Sequence, residues 1–108
     1  INRGGMKISP AEIDVLLEGL PGAVEAAICS YEDASLGEKV CACIVMDTKT
    51  SALSLAQVIN YLSSKGIAKF KLPERIELFD ILPRNPLAKV QRFVLEDWVS
   101  QRTQERDL

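Results

Sequence analysis

The sequence predicts an α+β domain, a small three-stranded sheet with helices packed on it. Three observations carry that expectation. Two segments, opening at Ser9-Pro10 and at Ser54, begin with helix-start chemistry and continue with apolar residues at helical spacing. Two mostly apolar runs, 23–30 and 40–46, have the length and composition of covered strands. A segment holding Pro83 and Pro86 then separates a third apolar run from a final amphipathic helix. At 108 residues these elements share one core, with little room for a second domain, so 1–108 reads as a single unit.

Residues 1–7 read as a glycine turn, Arg3-Gly4-Gly5, entering the first helix. Ser9 is the expected N-cap, Pro10 suits the first helical position, and Glu12 closes a capping box. Ile13, Leu16, Leu17 and Leu20 put one face in the core, and Leu20-Pro21-Gly22 stops the helix. Residues 23–30, carrying Val24 and Ile28, form the first strand; 31–39 is a polar loop holding Gly37; 40–46 is the second strand. So short a connection makes the two strands antiparallel neighbours.

A polar loop, 47–52, leads to the second helix. Ser54 and Gln57 make its capping box, Leu55, Val58, Ile59 and Leu62 its apolar face, and Gly66 its end. Tyr61 on this helix suits either core or rim. A connector, 68–73, precedes a third strand at 75–79. The last helix carries Val90, Val94 and Trp98 at four-residue spacing with Phe93 beside them, and its charged tail after Gln101 is expected to fray. Met46, Phe79, Phe93 and Trp98 read as core.

Composition narrows the function classes. The apolar fraction of 47% and charged fraction of 26% are those of a globular domain rather than a disordered segment. A net charge of −2 supplies no basic surface for nucleic acid or an anionic membrane, and no apolar run is long enough to span a bilayer. The chain contains no histidine, so it holds no Ser-His or Cys-His pair. Zinc is not expected either, because Cys29, Cys41 and Cys43 lack metal-ligand spacing. These cysteines read as buried free thiols, which suits a reducing, cytoplasmic location. There is no phosphate-binding glycine loop of the P-loop or dinucleotide type. Glu32-Asp33 reads as a solvated turn. The chain opens at Ile1 without an initiator methionine and is expected to be a piece of a longer one.

What remains is one lysine. In Leu82-Pro83-Arg84-Asn85-Pro86-Leu87-Ala88-Lys89-Val90-Gln91-Arg92, two prolines fix φ and remove backbone donors, so the segment is a rigid turn at the lip of the last helix. A lysine presented there can serve as a point charge for phosphate or carboxylate. The same local pattern also suits a solvated lysine at a helix start.

Four segments together resemble the carboxy-terminal lid domain of the adenylate-forming superfamily. That superfamily comprises acyl- and aryl-CoA synthetases, peptide-synthetase adenylation domains and luciferases. Ile1 to Pro10 with Glu12-Ile13 is similar to its I-x-R-G-G-x-K-I-x-P-x-E-I loop and helix. Asp33 with Gly37-Glu38-Lys39-Val40 and Ala42 resembles its D-x-x-x-G-E-x-V-x-A hairpin, and Phe70-Lys71-Leu72-Pro73 with Ile76 its Y/F-K-x-P-x-x-I/V connector. Leu82-Pro83 through Lys89 to Arg92 resembles L-P-x-x-x-x-G-K-x-x-R. The match spans essentially the whole chain and looks most like the aryl acid–AMP ligases of siderophore synthesis, the dihydroxybenzoate–AMP ligase type.

The resemblance implies a two-step enzyme whose large N-terminal domain and hinge precede Ile1. A small carboxylic acid reacts with Mg-ATP to give an adenylate, which the phosphopantetheine thiol of an aryl or acyl carrier protein, or CoA, then captures. It assigns Lys89 the catalytic contact with carboxylate and α-phosphate. Gly4 and Gly5 are assigned to the pantetheine tunnel, and Arg3 and Lys39 to the carrier protein, although both basic residues read equally well as plain surface charge. The chain departs from the family pattern at Met6, where glutamate is usual, and at Ala88, where glycine is usual. If position 88 needs positive φ, alanine there costs about 1 kcal/mol.

Overall fold

The computed structural model describes residues 1–3, 6–33, 37–47 and 53–107. Its elements, in chain order, are β1 (Asn2–Arg3), β2 (Met6–Lys7), α1 (Pro10–Leu17), β3 (Ala23–Asp33), β4 (Gly37–Met46), α2 (Leu55–Ser64), β5 (Arg75–Leu78) and α3 (Arg92–Asp107). A short 3-10 turn, Lys69–Lys71, precedes β5. This is the expected α+β sandwich. Its three principal strands are extended at one end by β1 and β2, each two residues long.

β4 is the central strand. β3 pairs with it antiparallel from Ala23↔Met46 to Asp33↔Gly37. On the other edge β5 runs parallel to it, and β1 meets it antiparallel at Arg3↔Gly37. Parallel neighbours need a crossover, which α2 supplies between β4 and β5. β4 is buried on both faces, which explains its unbroken apolar run. Val40, Ala42 and Ile44 join Ala26, Ile28, Ile13, Leu17, Val58 and Leu62 under α1 and α2. Cys41, Cys43 and Val45 join Ala27, Cys29, Leu95 and Val99 under α3. The three thiols are fully buried and unbridged, as expected, with Sγ atoms 3.8 and 3.9 Å apart.

Several expectations need correction. The strands reach Asp33 and Gly37, so most of the segment read as a polar loop is ladder. Tyr31↔Lys39 and Glu32↔Glu38 are cross-strand pairs whose backbone bonds do not depend on apolar side chains. Val24, expected in a covered strand, sits where the register shifts between Ala23 and Glu25 and is 64% exposed. Ser9 is the N-cap of α1 but its side chain makes no capping bond. Glu12 turns instead to Lys71, 3.0 Å away. Ser54 and Gln57 do form the reciprocal box on α2. Tyr61 is half-buried, and its hydroxyl donates to the Leu16 carbonyl at 2.8 Å.

The largest corrections concern α3. Its buried residues are Leu95 and Val99, while Phe93 is 72% exposed and Trp98 packs at the edge against Phe79. Val90 precedes the helix and forms an isolated bridge with Arg84. The buried positions are one residue on from Val94 and Trp98, a rotation of about 100°. That rotation follows from the helix start: Arg92 pairs with Asp14 at 2.8 Å and donates to the Ile28 carbonyl, which sets how α3 meets the sheet. The tail is helical through Asp107. Arg102 and Arg106 bind Glu77 on β5 and carry the helix to Asp107.

Candidate functional site

The segment around Lys89 is a small closed loop. Gln91 N–H donates to the Pro83 carbonyl at 2.8 Å, and the Arg84↔Val90 bridge closes its base. Leu82 and Pro83 are buried and anchor the loop beneath α3, whereas Pro86 through Lys89 are exposed. Inside the loop the Asn85 side-chain oxygen accepts from Leu87 N–H at 2.9 Å and Lys89 N–H at 3.0 Å. This is the turn chemistry in which asparagine imitates a backbone acceptor. Asn85 N–H donates to the Lys89 carbonyl at 2.9 Å, and Ala88 N–H to the Asn85 carbonyl at 2.8 Å.

Ala88 has φ +64°, the one positive value at a non-glycine residue among the described residues. The position therefore demands the conformation glycine adopts without penalty, and alanine occupies it under strain. Arg84 compensates for that strain. Its guanidinium donates to the Ala88 carbonyl at 2.7 Å while pairing with Glu25 on β3 at 2.7 and 2.8 Å. Lys89 leaves this loop as an exposed ammonium with no ion pair to any described residue.

Arg3 and Lys39 lie at the opposite end of the sheet. Arg3 pairs through its backbone with Gly37, the first residue of β4. Lys39 sits two residues along β4 and forms an ion pair with Asp33 at 3.3 Å, so part of its charge is already met. Gly4 and Gly5 lie outside the described residues. Glu25, beside the lysine loop, and Asp33 are eight positions apart on β3, which spans about 26 Å. The structure thus brings Arg3 and Lys39 to one end and places Lys89 at the other.

An open groove of about 490 Å³ lies between the start of α3 and the β3–β4 hairpin, lined by Tyr31, Glu32, Glu38, Phe93, Glu96 and Asp97. A second, of about 600 Å³, adjoins it beside Lys7, Ser9 and Arg92. Neither is lined by Lys89. Sequence reasoning missed Arg84, Glu25 and the Asp14–Arg92 pair. Asn85 ahead of Pro86 was a readable turn signal. Nothing local could couple Arg84 to Glu25, 59 positions away.

A family model described as "AMP-binding enzyme C-terminal domain" matches residues 12–89. The chain is 43% identical over 102 residues to enterobactin synthase component E of Escherichia coli (strain K12), covering 94% of this chain and 18% of that protein. It is 40% identical over 99 residues to a salicylyl-CoA synthase / salicylate adenylyltransferase of Streptomyces sp, covering 92% and 18%. Among solved structures, a Mycobacterium tuberculosis fatty acyl CoA synthetase superposes with a TM-score of 0.83 at 32% identity, covering 94% of this chain and 20% of that one. The chain spans about a fifth of the length of the relatives it matches.

Proposed function

Because the chain belongs to the AMP-binding enzyme C-terminal domain family, we propose that it is the lysine-bearing lid of an ATP-dependent carboxylic acid ligase. In the first step a carboxylate oxygen attacks the α-phosphorus of ATP, forming an acyl-adenylate and releasing pyrophosphate. In the second a thiol attacks the acyl carbon, forming a thioester and releasing AMP. Lys89 acts in the first. It brings a cation to two anions that must approach each other, and it meets the charge that builds on the phosphoryl oxygens. A preorganised ammonium in a cleft emptied of water contributes about 3 kcal/mol to such a transition state.

The observation that carries this reading is the pairing of a braced loop with an unpartnered charge. Lys89 is held by its backbone and left open at its tip. The separation of about 26 Å along β3 supports a lid that presents one end for adenylation and the other for thiol capture. At that other end Arg3 and Lys39 would stand beside an acidic carrier protein, and the resemblance assigns Gly4 and Gly5 to the pantetheine path. Among the described residues no group of three His, Cys, Asp or Glu side chains is placed to hold a metal ion. Magnesium, which neutralises phosphate charge when bound, would arrive with ATP on the large domain.

The substrate we favour is an aryl acid passed to the phosphopantetheine thiol of a carrier protein. Similarity to the salicylyl-CoA synthase / salicylate adenylyltransferase supports the aryl acid but not the carrier as acceptor, which rests on the resemblance to siderophore aryl acid–AMP ligases. A second reading, an acyl- or aryl-CoA synthetase using free CoA, is favoured by the Asp33–Lys39 pair, which leaves less positive charge for an acidic carrier. Comparing CoA with holo-carrier as acceptor for the full-length protein separates the two. A third, a non-catalytic interaction module, draws on the strained Ala88 alone. No helix among the described residues is long and apolar enough to cross a membrane, and the buried thiols suit a reducing compartment such as the cytoplasm.

The decisive experiment is Lys89→Ala in the full-length protein. Acid-dependent ATP–pyrophosphate exchange is expected to fall about 100-fold or more, while thioester formation from supplied adenylate survives. Equal loss of both half-reactions, or undiminished exchange, overturns the assignment.

A further inference from the structure

The peptide group joining Ala88 to Lys89 is held at both ends. Its carbonyl accepts from Arg84 at 2.7 Å and its N–H donates to the Asn85 side chain at 3.0 Å. The Lys89 carbonyl in turn accepts from Asn85 N–H at 2.9 Å, so the peptide groups on both sides of Lys89 are held and the direction of its Cα–Cβ bond is set. We propose that Arg84, braced by Glu25, is the positioning residue that aims Lys89 during adenylate formation, an inference that rests on the lid reading above.

Two arginines staple the loop to the same strand. Arg84, at its start, pairs with Glu25; Arg92, just past its end, reaches the Ile28 carbonyl three positions further along β3 and pairs with Asp14 on α1. Arg92 belongs to the packing of α3. Arg84 has a different setting. Its pair with Glu25 is partly open to solvent, with side-chain exposures of 37% and 26%. An ion pair so placed adds little to the stability of the fold. What it does supply is geometry. One planar guanidinium spans a strand carboxylate and the carbonyl of the single strained alanine, and a lysine in its place lacks the fork to make both contacts. A strained backbone persists only where its surroundings over-determine it. At Ala88 those surroundings are Arg84 and Asn85.

The test uses full-length ligase and reads both half-reactions. Arg84→Gln is expected to lower kcat for acid-dependent ATP–pyrophosphate exchange about 100-fold, since a displacement near 1 Å costs that much, with KM for ATP and acid little changed. Thioester formation from supplied adenylate stays near the parent rate. Arg84→Lys falls between, and adding Ala88→Gly to Arg84→Gln recovers part of the loss because glycine needs no brace. Glu25→Gln gives a weaker version of the same pattern and serves if Arg84→Gln fails to fold. Unchanged exchange in both variants overturns the proposal, as does equal loss of the two half-reactions. Lys89→Ala, assayed alongside, distinguishes the failures. If it leaves exchange intact, the lid reading itself falls. If it abolishes exchange while Arg84→Gln does not, only the role of Arg84 falls.

Discussion

The guanidinium of Arg106, in the last turn of α3, holds the buried carboxylate of Glu77 on β5 through hydrogen bonds of 2.6 and 2.9 Å. Arg75 and Arg102 complete the set at 2.8 and 3.0 Å. Glu77 is only 2% exposed. Burial alone pushes its carboxyl upward, but the guanidiniums of Arg106, Arg75 and Arg102 outweigh that and hold it at about 2.

A carboxyl held below its ordinary value stabilises the fold above that value and loses the contribution as pH falls through the folded one. Between pH 4.5 and about 2 the chain is therefore expected to lose about 2–3 kcal/mol from Glu77 alone. Glu77→Gln should be destabilised by about 3 kcal/mol at neutral pH, because three arginines are left beside an uncharged partner. It should also show a flatter acid limb. Urea melts of both proteins across pH 2–7 check this, and parallel acid limbs would remove Glu77 from the account.

Ala88→Gly is expected to stabilise the chain by about 0.5–1 kcal/mol. The relief of strain at φ +64° exceeds the entropy that glycine adds to the unfolded chain. Chemical denaturation reads the gain as a higher midpoint at unchanged slope. A lower midpoint would mean that the left-handed conformation is not what position 88 requires.

Gly19 lies against Tyr61. A Cβ at position 19 would stand 2.7 Å from the Tyr61 hydroxyl and 3.4 Å from the Leu16 carbonyl that this hydroxyl bonds. Gly19→Ala is expected to cost about 1–2 kcal/mol by displacing the hydroxyl from its acceptor. In a Tyr61→Phe background the obstruction is gone, so the same change should cost little. A double-mutant cycle measures the coupling; additivity would show the two sites to be independent.

Leu95→Ala should cost about 3 kcal/mol, because Leu95 is fully buried on the thiol-lined face of the sheet. Phe93→Ser, two residues away and 72% exposed, should change stability by no more than about 0.5 kcal/mol. Thermal unfolding of the two variants checks the facing of α3. Comparable losses would restore the alternative in which Phe93 belongs to the core.

The layers were legible because their signals are local. Ser54 and Gln57 announce α2 over four residues, and the apolar run of β4 announces a strand covered on both faces. The lysine loop was legible as well, since proline restricts the backbone wherever it stands. The facing of α3 was not. Its apolar residues 93, 94, 95, 98 and 99, with 90 just ahead of it, support more than one buried stripe, and the choice falls to Arg92, held by Asp14 from 78 positions away. The tail after Gln101 reads as solvated charge until Glu77 is known to lie beneath it.

The sequence by itself determined the α+β class, the apolar faces of α1 and α2, the covered run of β4 and the lysine turn, and it flagged Ala88 as the position to watch. The class, the apolar faces and the turn follow from periodicity, capping or the fixed φ of proline, which act over a few residues; Ala88 stood out only against the glycine usual in the family the chain resembles. Only the tertiary structure decided that Ala88 is strained, that Arg84 and Glu25 brace it, and that Lys89 stands at the end of the sheet away from Arg3 and Lys39. Those are ion pairs and hydrogen bonds between residues far apart in the chain. They exist only once folding has set one strand beside the loop, and no local pattern encodes them.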